Sequence, residues 1–319
     1  MYPLLLKAPV KDYLWGGTRL ITDFGFETDK EIAAEAWVLF CHKDGTSTVL
    51  NGACTGQALT MVLEDWGAAA LGARAAAFPY FPLLIKLIDA RDRLSVQVHP
   101  DNAYAQRVEG EFGKTEMWYI VDCEPDAQLI YGFKQGIPRA EFRTRIEDNT
   151  LTDVVNFVPV HKGDVFFIPA GTLHAIGAGI LIAEVQQNSN TTYRVSDYGR
   201  LGADGKPRPL HVDKAVEVTD TVPPREAYGA VGETVRLSGG TLRPLSSCEF
   251  FTAELLALHG TVHVGVRDSF TSLVCLEGEA TLTAEGCEPL LLQKGASVFL
   301  PAGLSAAVSG NASLLCSRV

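Results

Sequence analysis

The residues best placed for chemistry are Gln97 and His99, which lie two apart in the run from Leu94 to Pro100. Side chains of a strand alternate between its faces, so this pair brings an amide oxygen and an imidazole nitrogen together. Glu116, in a strand-like run, and His174, after a Pro-Ala-Gly turn, would add a carboxylate and a second imidazole. Such donors suit zinc or another borderline divalent ion. A Gln-x-His pair alone is usually only the polar face of a strand, so the assignment depends on Glu116 and His174.

The composition argues against several classes of protein. With 319 residues the chain is long enough for two domains with full cores, and its hydrophobic fraction of 47% is typical of globular proteins. The net charge of −11, without any basic run, argues against a nucleic-acid partner. No segment approaches the roughly 18 apolar residues that span a bilayer, so we expect no membrane partner.

The first residues and the cysteines indicate a compartment. Residues Met1 to Lys7 contain no basic region and no long apolar stretch, so they do not read as a secretory signal. The seven cysteines are odd in number, scattered, and include no C-x-x-C pair. This arrangement fits reduced thiols better than a disulfide framework. We therefore expect a cytoplasmic protein.

A repeat connects the two parts of the chain. Residues 162–171 read KGDVFFIPAG and residues 294–303 read KGASVFLPAG. Each copy predicts a turn, a strand, and a second turn that leads into another strand. Two copies of one β unit indicate two related β domains. Three residues after the second turn, one copy has His174 and the other has Ala306, so we expect the second domain to pack, shield or dimerise without binding a metal.

The other predicted elements are few and short. Upstream of the repeats we expect strand pairs at 117–131 and 273–283. Apolar periodicity predicts short helices at 59–74, 102–109 and 139–149.

Two stretches divide the chain further. The Gly-, Asp- and Pro-rich segment 199–209 predicts an exposed loop, and residues 222–232 predict an interdomain linker. We therefore expect a metal-binding domain at 1–228 and a domain without metal ligands at 229–319.

Five motifs follow one another in the order of a known family. They are LWGG at 14–17, PLLIK at 82–86 with LSVQVHPD at 94–101, GKTE at 113–116, IPAGTLHAI at 168–176 and EVQQNSNTTYR at 184–194. On these motifs the chain resembles the class I phosphomannose isomerases, also called mannose-6-phosphate isomerases, of the short bacterial kind. The second half resembles the family more weakly.

The resemblance implies a fold and a set of site residues. The fold would be mainly β, with two cupin-type (jelly-roll) β-barrels and a few short helices. One Zn²⁺ per chain would be held by Gln97, His99, Glu116 and His174. Catalytic and substrate-contacting positions carry over to Lys86, Ser95, Lys114, Glu184 and Arg194.

The sequence departs from the family pattern at two places. Residues 34–37 read Ala-Glu-Ala-Trp where relatives often read Gly-Glu-Ser-Trp. Asn190 stands four residues before Arg194, where relatives often have Asp. The second departure removes a carboxylate, so position 190 no longer offers a group for proton transfer, and it leaves the predicted metal donors untouched.

The implied reaction interconverts mannose 6-phosphate and fructose 6-phosphate through a cis-enediol, and a divalent metal would polarise the carbonyl. Arg194 would stabilise the developing negative charge, unless it forms a surface salt bridge. Lys114 or Glu184 would act as the base, and the sequence does not rank them. Lys86 and Ser95 are the candidates for binding the phosphate, although Lys86 also fits a buried, paired lysine.

Two other functions remain open from the sequence. Cupin folds host many reactions, and two histidines with one carboxylate also suit Fe(II), so an oxygenase or an epimerase is one alternative. A non-catalytic sugar-binding bicupin is the other, and intact metal donors weigh against it. Gln97, Lys114 and Arg194 favour the isomerase with its phosphosugar substrate. The sequence says nothing about the oligomeric state.

Overall fold

A computed structural model of the chain describes residues 1–201, 205–224 and 228–319. Strands hold 41% of the chain and helices 16%, which confirms the prediction of a mainly β fold. The described residues form three large sheets and a short hairpin, β4 (Cys41–His42) with β5 (Gly45–Thr46). The predicted loop at 199–209 and linker at 222–232 include residues 202–204 and 225–227, which lie outside the described residues.

The first sheet has six antiparallel strands in the order β12-β9-β14-β7-β3-β2. Their bounds are β2 Val10–Lys11, β3 Glu35–Leu39, β7 Leu83–Ala90, β9 Glu116–Cys123, β12 Val165–Ile168 and β14 Ile180–Gln187. Every residue of β7 and β14 is buried. A strand buried on both faces reads as a nearly continuous apolar run, which explains the sequence from Leu83 to Ile88 around a single lysine.

The second sheet has five antiparallel strands in the order β11-β10-β13-β8-β15. Their bounds are β8 Val96–Val98, β10 Gln128–Phe133, β11 Val155–Pro159, β13 His174–Ala175 and β15 Tyr193–Ser196. The two strands predicted at 117–131 are present as β9 and β10, but they do not pair with each other, because β9 belongs to the six-stranded sheet and β10 to the five-stranded sheet.

The third sheet is the largest, with the path β16-β17-β18-β23-β20-β22-β1-β6 and two further strands, β19 on β23 and β21 on β20. Its strands are β1 Leu4–Lys7, β6 Thr48–Val49, β16 Val235–Leu237, β17 Gly240–Ser247, β18 Thr252–Leu258, β19 Thr261–Val264, β20 Thr271–Ala284, β21 Leu290–Gln293, β22 Ser297–Leu300 and β23 Ala306–Arg318. β1 pairs with β22, so the first strand of the chain joins a sheet built mostly from residues after 234. The division at 228 and 229 stays a prediction, and this sheet crosses it.

The helices are short, as predicted. The described residues contain α1 Arg19–Thr22, α2 Leu59–Trp66, α3 Ala68–Ala76, α4 Asn102–Glu109, α5 Arg139–Glu147 and α6 Val212–Val218, with 3-10 turns at Gly52–Cys54 and Leu151–Asp153. The predictions at 102–109 and 139–149 are confirmed. Asp101 begins α4 by accepting a hydrogen bond from the Tyr104 backbone nitrogen at 2.8 Å.

Two element predictions were wrong in detail. The helix expected at 59–74 is two helices, because Gly67 between them has φ +61°, which an L residue in a helix does not adopt. The strand pair expected at 273–283 is one strand, β20, which continues through an irregularity between Cys275 and Glu277 instead of reversing.

The six-stranded sheet is the middle layer of the molecule. Its residues on one face, such as Met117 and Val185, pack with Phe299 and Leu315 of the ten-stranded sheet. Alternate residues, such as Trp118, pack on the other face against the five-stranded sheet. The site described below lies between these last two sheets.

The repeat is confirmed at the level of elements. In both copies the glycine of the first turn, Gly163 or Gly295, has φ +92°. The strands that follow, β12 and β22, occupy the same positions within their copies. β13 begins at His174 and β23 begins at Ala306, the equivalent residue.

Candidate active site

One row of side chains crosses the six-stranded sheet on its site-facing side. Strand register places Trp37 opposite Lys86, Lys86 opposite Glu184, and Glu184 opposite Trp118. All four are buried. Residues directly opposite in antiparallel strands project to the same face, so positions far apart in sequence form one charged strip between two tryptophans.

A second row crosses the five-stranded sheet. Its register places Tyr131 opposite His174, His174 opposite Gln97, and Gln97 opposite Arg194. The ring of His174 lies 5.3 Å from the ring of Trp118, edge to face. The two rows therefore face each other across the space between the sheets.

Three of the predicted metal donors meet between the rows. His99, Glu116 and His174 are buried, and one donor atom from each lies within 4.8 Å of the others. Glu116 Oε1 is 3.4 Å from His174 Nε2, and Glu116 Oε2 is 3.6 Å from His99 Nε2. Glu116 is the first residue of β9, and His99 directly follows β8, so strand ends hold these side chains.

Backbone carbonyls set the tautomer of both imidazoles. His99 Nδ1 donates to the Thr191 carbonyl at 3.0 Å and His174 Nδ1 donates to the Thr172 carbonyl at 2.8 Å, because a carbonyl oxygen can only accept. Each Nε2 therefore carries a lone pair toward Glu116. Burial lowers the pKa of His174 to about 4, and burial together with the Lys114 charge holds the pKa of His99 well below its usual value. Both rings are neutral near pH 7, the form that binds metals.

The donor set fits a divalent cation. Within the described part of the chain, His99 Nε2 and Glu116 Oε1 are buried without a hydrogen-bond partner. Such atoms are costly to bury unless something binds them. Burial, and then the charge of Glu184, raises the pKa of Glu116 to about 7, and a bound cation would act in the opposite direction. Two imidazoles and a carboxylate suit zinc and other borderline metals.

Gln97 lies beside this cluster. Its amide nitrogen is 3.3 Å from Nε2 of His174. A half-turn of the amide exchanges its nitrogen and oxygen, so the same position also presents an oxygen to the three donors. The four residues predicted from spacing are thus together in space, and the role of Gln97 as a ligand stays a prediction.

Glu184 is held as an anion by two lysines. Its Oε1 lies 3.2 Å from Lys86 Nζ and 3.9 Å from Lys114 Nζ, and Trp118 Nε1 donates to its Oε2 at 2.9 Å. Burial by itself raises the pKa of Glu184, but Lys114 and Lys86 lower it to about 2. A carboxylate of this pKa accepts a proton poorly near neutral pH.

Lys86 is a buried and paired lysine. Besides Glu184, Glu35 lies 3.9 Å from its Nζ, and the Trp37 ring lies 5.0 Å away. Burial acts to lower the pKa of Lys86, but the charges of Glu184 and Glu35 raise it above its usual value. This geometry matches the alternative weighed from the sequence, and a role for Lys86 in binding phosphate stays a prediction.

One cavity of about 360 Å³ collects the predicted catalytic and substrate-binding residues. Its lining includes Lys86, Ser95, Gln97, Lys114, Glu184 and Arg194. Ser95 and Lys114 are buried in its wall. Lys114 Nζ also lies 2.8 Å from Glu116 Oε2, so the cavity reaches the metal donors through this lysine and Gln97.

Arg194 brings to the cavity a charge that has no close ion-pair partner among the described residues. Its Nε donates to Ser95 Oγ at 3.2 Å and its Nη1 donates to the Pro209 carbonyl at 3.3 Å. Among the described residues it forms no ion pair within 4.0 Å, so the surface salt bridge considered from the sequence is not present there. Burial, and then the charge of Arg208, lowers the pKa of Arg194. An anionic group in the cavity would relieve both effects.

Comparisons with known proteins identify the family to which the chain belongs. A family model for the catalytic domain of type I phosphomannose isomerases matches residues 4–123, and a model for the cupin domain of mannose-6-phosphate isomerases matches residues 242–319. A mannose-6-phosphate isomerase of Streptococcus mutans is 37% identical over 299 residues, which cover 94% of this chain and 92% of that protein. The chain belongs to the type I phosphomannose isomerase family.

Further relatives share the whole length of this family member. The mannose-6-phosphate isomerase ManA of Bacillus subtilis is 39% identical over 308 residues, 95% of this chain and 94% of that protein. The crystal structure of the mannose 6-phosphate isomerase from Bacillus subtilis superposes with a TM-score of 0.90 at 34% identity and covers 100% of both chains. The resemblance drawn from the five motifs is thereby confirmed.

The sequence of this phosphomannose isomerase family member did not indicate all the residues that line the cavity. Tyr13, Trp15, Trp37 and Arg208 line the cavity. The available signals were weak, since Arg208 stands between two prolines in a predicted exposed loop, and Trp37 was noted only as part of a departing motif. Arg208 is held by Asp197, which accepts hydrogen bonds from its Nε and Nη2 at 2.7 and 2.6 Å.

A larger cavity lies elsewhere on this family member. It measures about 840 Å³ and is bounded by α2, α3, β4 and aromatic residues such as Phe78 and Phe112. None of the predicted site residues lines it. The larger cavity is therefore not the candidate active site. The smaller cavity is, because charged residues and Gln97 line it.

Proposed function

We propose that the chain interconverts mannose 6-phosphate and fructose 6-phosphate through a metal-stabilised cis-enediol. The observation that carries the proposal is one cavity that joins a buried His99, Glu116 and His174 cluster to the half-buried, unpaired charge of Arg194. Membership of the phosphomannose isomerase family supports the same reaction.

The metal would be one Zn²⁺ per chain, held by His99, Glu116, His174 and Gln97. When bound, it would polarise the oxygens on C1 and C2 of the sugar. One carboxylate among three neutral ligands leaves such a site with a net positive charge, which favours an enediolate. Ala306, at the equivalent position of the second repeat, offers no ligand, so the proposal requires a single tight ion.

Proton transfer is proposed for Lys114, with Glu184 as its counter-charge. Isomerisation takes a proton from C2 and returns one to C1, so the group involved must both accept and donate. Glu184 is a poor acceptor because its pKa is held near 2. Lys114 lies between Glu116 and Glu184 on the cavity wall, within reach of a sugar bound there. As the neutral amine it would take the proton from C2, and as the resulting ammonium it would return that proton to C1.

The phosphate would bind at Ser95 and Arg208, at the end of the cavity beside Arg194, which would itself face the enediolate. Ser95 is hydrogen-bonded to Arg194, and burial, followed by repulsion from Arg208, lowers the pKa of Arg194. A dianionic phosphate would offset this repulsion. The charge here is locally positive although the whole chain carries −11. Lys86 remains a second candidate, deeper in the cavity.

The architecture would consist of two cupin barrels, a metal-binding one within 1–228 and one without metal ligands within 229–319. The repeated turns and the cupin match at 242–319 support this division. A cytoplasmic location is proposed because all seven cysteines are free thiols. No helix among the described residues is long and apolar enough to cross a membrane.

Activity and metal content of purified variants test the proposal. The wild type should isomerise mannose 6-phosphate and bind one zinc ion per chain. His99→Ala and His174→Ala should each lose the metal and at least about 10³ of the activity while keeping the fold, because the sheets have their own apolar cores. His161→Ala is the matched control, since that side chain is 82% exposed and lies outside the cavity.

Two outcomes would contradict the proposal. Full metal occupancy in either site variant would remove the ligand assignment. A metal-loaded wild type without activity on mannose 6-phosphate would favour the other readings, a cupin oxygenase or epimerase, or a sugar-binding bicupin. Binding of mannose without turnover would then identify the last of these.

A further inference from the structure

Asn190 lies at the mouth of the cavity and is hydrogen-bonded to a residue of the β4–β5 hairpin. The side chain is exposed and lines the cavity. Its Nδ2 donates to Oδ2 of Asp44 at 3.0 Å. Asp44 stands in the two-residue turn of the hairpin, 146 positions away in sequence. No motif in the sequence connects the two residues.

The carboxylate of Asp44 decides which way the Asn190 amide faces. An ionised carboxylate only accepts hydrogen bonds, so the amide must turn its NH₂ group toward Asp44. The amide oxygen then faces away from the Asp44 carboxylate. A neutral or absent partner at position 44 would leave both amide orientations open.

The backbone around Asn190 is fixed without help from Asp44. Gln186 Nε2 donates to the Ser189 carbonyl at 2.8 Å, and Ser189 Oγ donates to the Phe112 carbonyl at 2.7 Å. The neighbouring Thr191 carbonyl accepts from His99. Asp44 therefore acts on the Asn190 side chain and not on the path of the chain.

The hairpin holds Asp44 in a defined place. The backbone nitrogen of Asp44 donates to His42 Nδ1 at 3.2 Å, and the adjacent Lys43 pairs with Glu111 at 2.6 Å. These contacts fix the turn on both sides. The carboxylate is about half exposed, and its Oδ2 also lies 3.3 Å from His42 Nδ1.

We propose that Asp44 is a positioning residue of the isomerase, which holds Asn190 with its amide oxygen toward the substrate, where it accepts a hydrogen bond from a sugar hydroxyl. The inference rests on the proposed function. Asn190 and Asp44 form a matched pair, because an acid at position 190 would place two carboxylates about 3 Å apart. An asparagine at position 190, where relatives often have Asp, is therefore compatible with an aspartate at position 44, whereas an acid at position 190 would not be.

Steady-state kinetics on four variants tests the coupling. Asp44→Ala should raise KM about tenfold and change kcat less than about twofold, because a hydroxyl contact of this kind is made before and during the reaction. N190D should lose more, from repulsion. The double exchange D44N/N190D restores one carboxylate and one amide, and should recover kcat/KM to within about threefold of the wild type. His161→Ala, whose side chain is 82% exposed and lies outside the cavity and the hairpin, is the control and should remain unchanged.

The metal content of Asp44→Ala shows whether Asp44 positions Asn190 or instead supports the metal centre. Asp44→Ala should keep its metal, since Thr191 holds His99 independently. Loss of metal, wild-type kinetics for Asp44→Ala, or equal kcat/KM for N190D and the double exchange would each overturn the inference. An inactive wild type would overturn the proposed isomerase first, and a fully active Asp44→Ala in an active background would overturn only this inference.

Discussion

Among the charged side chains of the cavity, Arg194 is the one that an anionic substrate would stabilise most. The other cations there are already matched, Lys86 and Lys114 by glutamates and Arg208 by Asp197. Arg194 has hydrogen bonds only to a hydroxyl and a carbonyl. Its register opposite Gln97 brings it near the metal donors, where enediolate charge would develop.

Arg194→Ala should retain its metal and lose about 10² to 10³ in kcat, equivalent to roughly 3 kcal/mol of transition-state stabilisation. An interaction made mainly in the transition state lowers kcat and kcat/KM together. Steady-state assays with mannose 6-phosphate measure both. Arg107→Ala, an exposed arginine of α4 outside the cavity, is the control.

Lys86→Met, assayed in the same way, distinguishes between two roles for Lys86. Without Lys86 the pKa of Glu184 should rise and kcat should fall more than KM rises, because the lysine mainly holds that carboxylate. A loss confined to KM, which shrinks for unphosphorylated mannose, would instead make Lys86 a phosphate anchor. For Arg194→Ala, a change in KM alone would show that the residue anchors the substrate and stabilises no transition state.

The candidate metal donors could be predicted from the sequence, whereas the contacts of the residues around them could not. Gln97 and His99 share a face through strand alternation, a local property. The pairing of Lys86 with Glu184 depends on the register between β7 and β14, which a local pattern does not encode. The contact of Asp44 with Asn190 has the same origin, because a hairpin and a distant loop meet only after the sheets assemble.

β15 and α6 are joined by reciprocal hydrogen bonds. The His211 backbone nitrogen donates to the Arg194 carbonyl at 2.8 Å, and the Arg194 backbone nitrogen donates to His211 Nδ1 at 3.1 Å. Burial, and then the charge of Arg194, lowers the pKa of His211 below its usual value. The neutral His211 ring is therefore the form that accepts from the Arg194 backbone and holds Arg194 in the cavity wall.

Acid should weaken this connection in a defined window. As pH falls below about 6.5, the unfolded chain protonates His211 first, so the free energy of unfolding decreases until the folded residue is also protonated. Protonated Nδ1 no longer accepts from Arg194. His211→Asn keeps an acceptor that does not titrate, so the ratio of its kcat/KM to that of the wild type should rise on acidification below pH 6.5. Parallel pH profiles for the two proteins would contradict this role.

The repeat shows what an element-level pattern can and cannot predict. The turns at Gly163 and Gly295, and the strands after them, were predictable because positive φ favours glycine and because β-branched and aromatic residues make up all of β12 and half of β22. The continuous β20 was not, because a Glu-Gly step reads as a reversal while its pairing with β23 carries the strand through. The break at Gly67 depends on backbone geometry that apolar spacing does not show.

The whole molecule is held together by a core that both halves share. Leu4 is fully buried, and β1 lies between β22 and β6. The same apolar cluster contains Val185 from the middle sheet and Phe299 from the ten-stranded sheet. Two sequence domains were predictable from the repeat, but the assignment of β1 to the distant sheet was not, since four residues carry no register information.

Leu4→Ala should destabilise the whole chain by about 2 to 5 kcal/mol, the usual range for removing a buried leucine side chain. Because the core is shared, urea unfolding should show one transition at a lower midpoint. Leu291→Ala, on β21 and 50% exposed, should leave the midpoint nearly unchanged. A shift confined to a separate transition of one half would show that the halves are energetically independent.

The pairing of β1 with β22 also has a consequence for the protein during translation. Leu4 emerges from the ribosome long before its partner Phe299 is synthesised. During that interval the nascent chain carries a strand edge whose backbone groups have no partner, the kind of edge that promotes association with other chains. Closing so long a loop is also slow. The ten-stranded sheet therefore completes only after β22 and β23 have been synthesised, and the order of synthesis runs against the order of pairing.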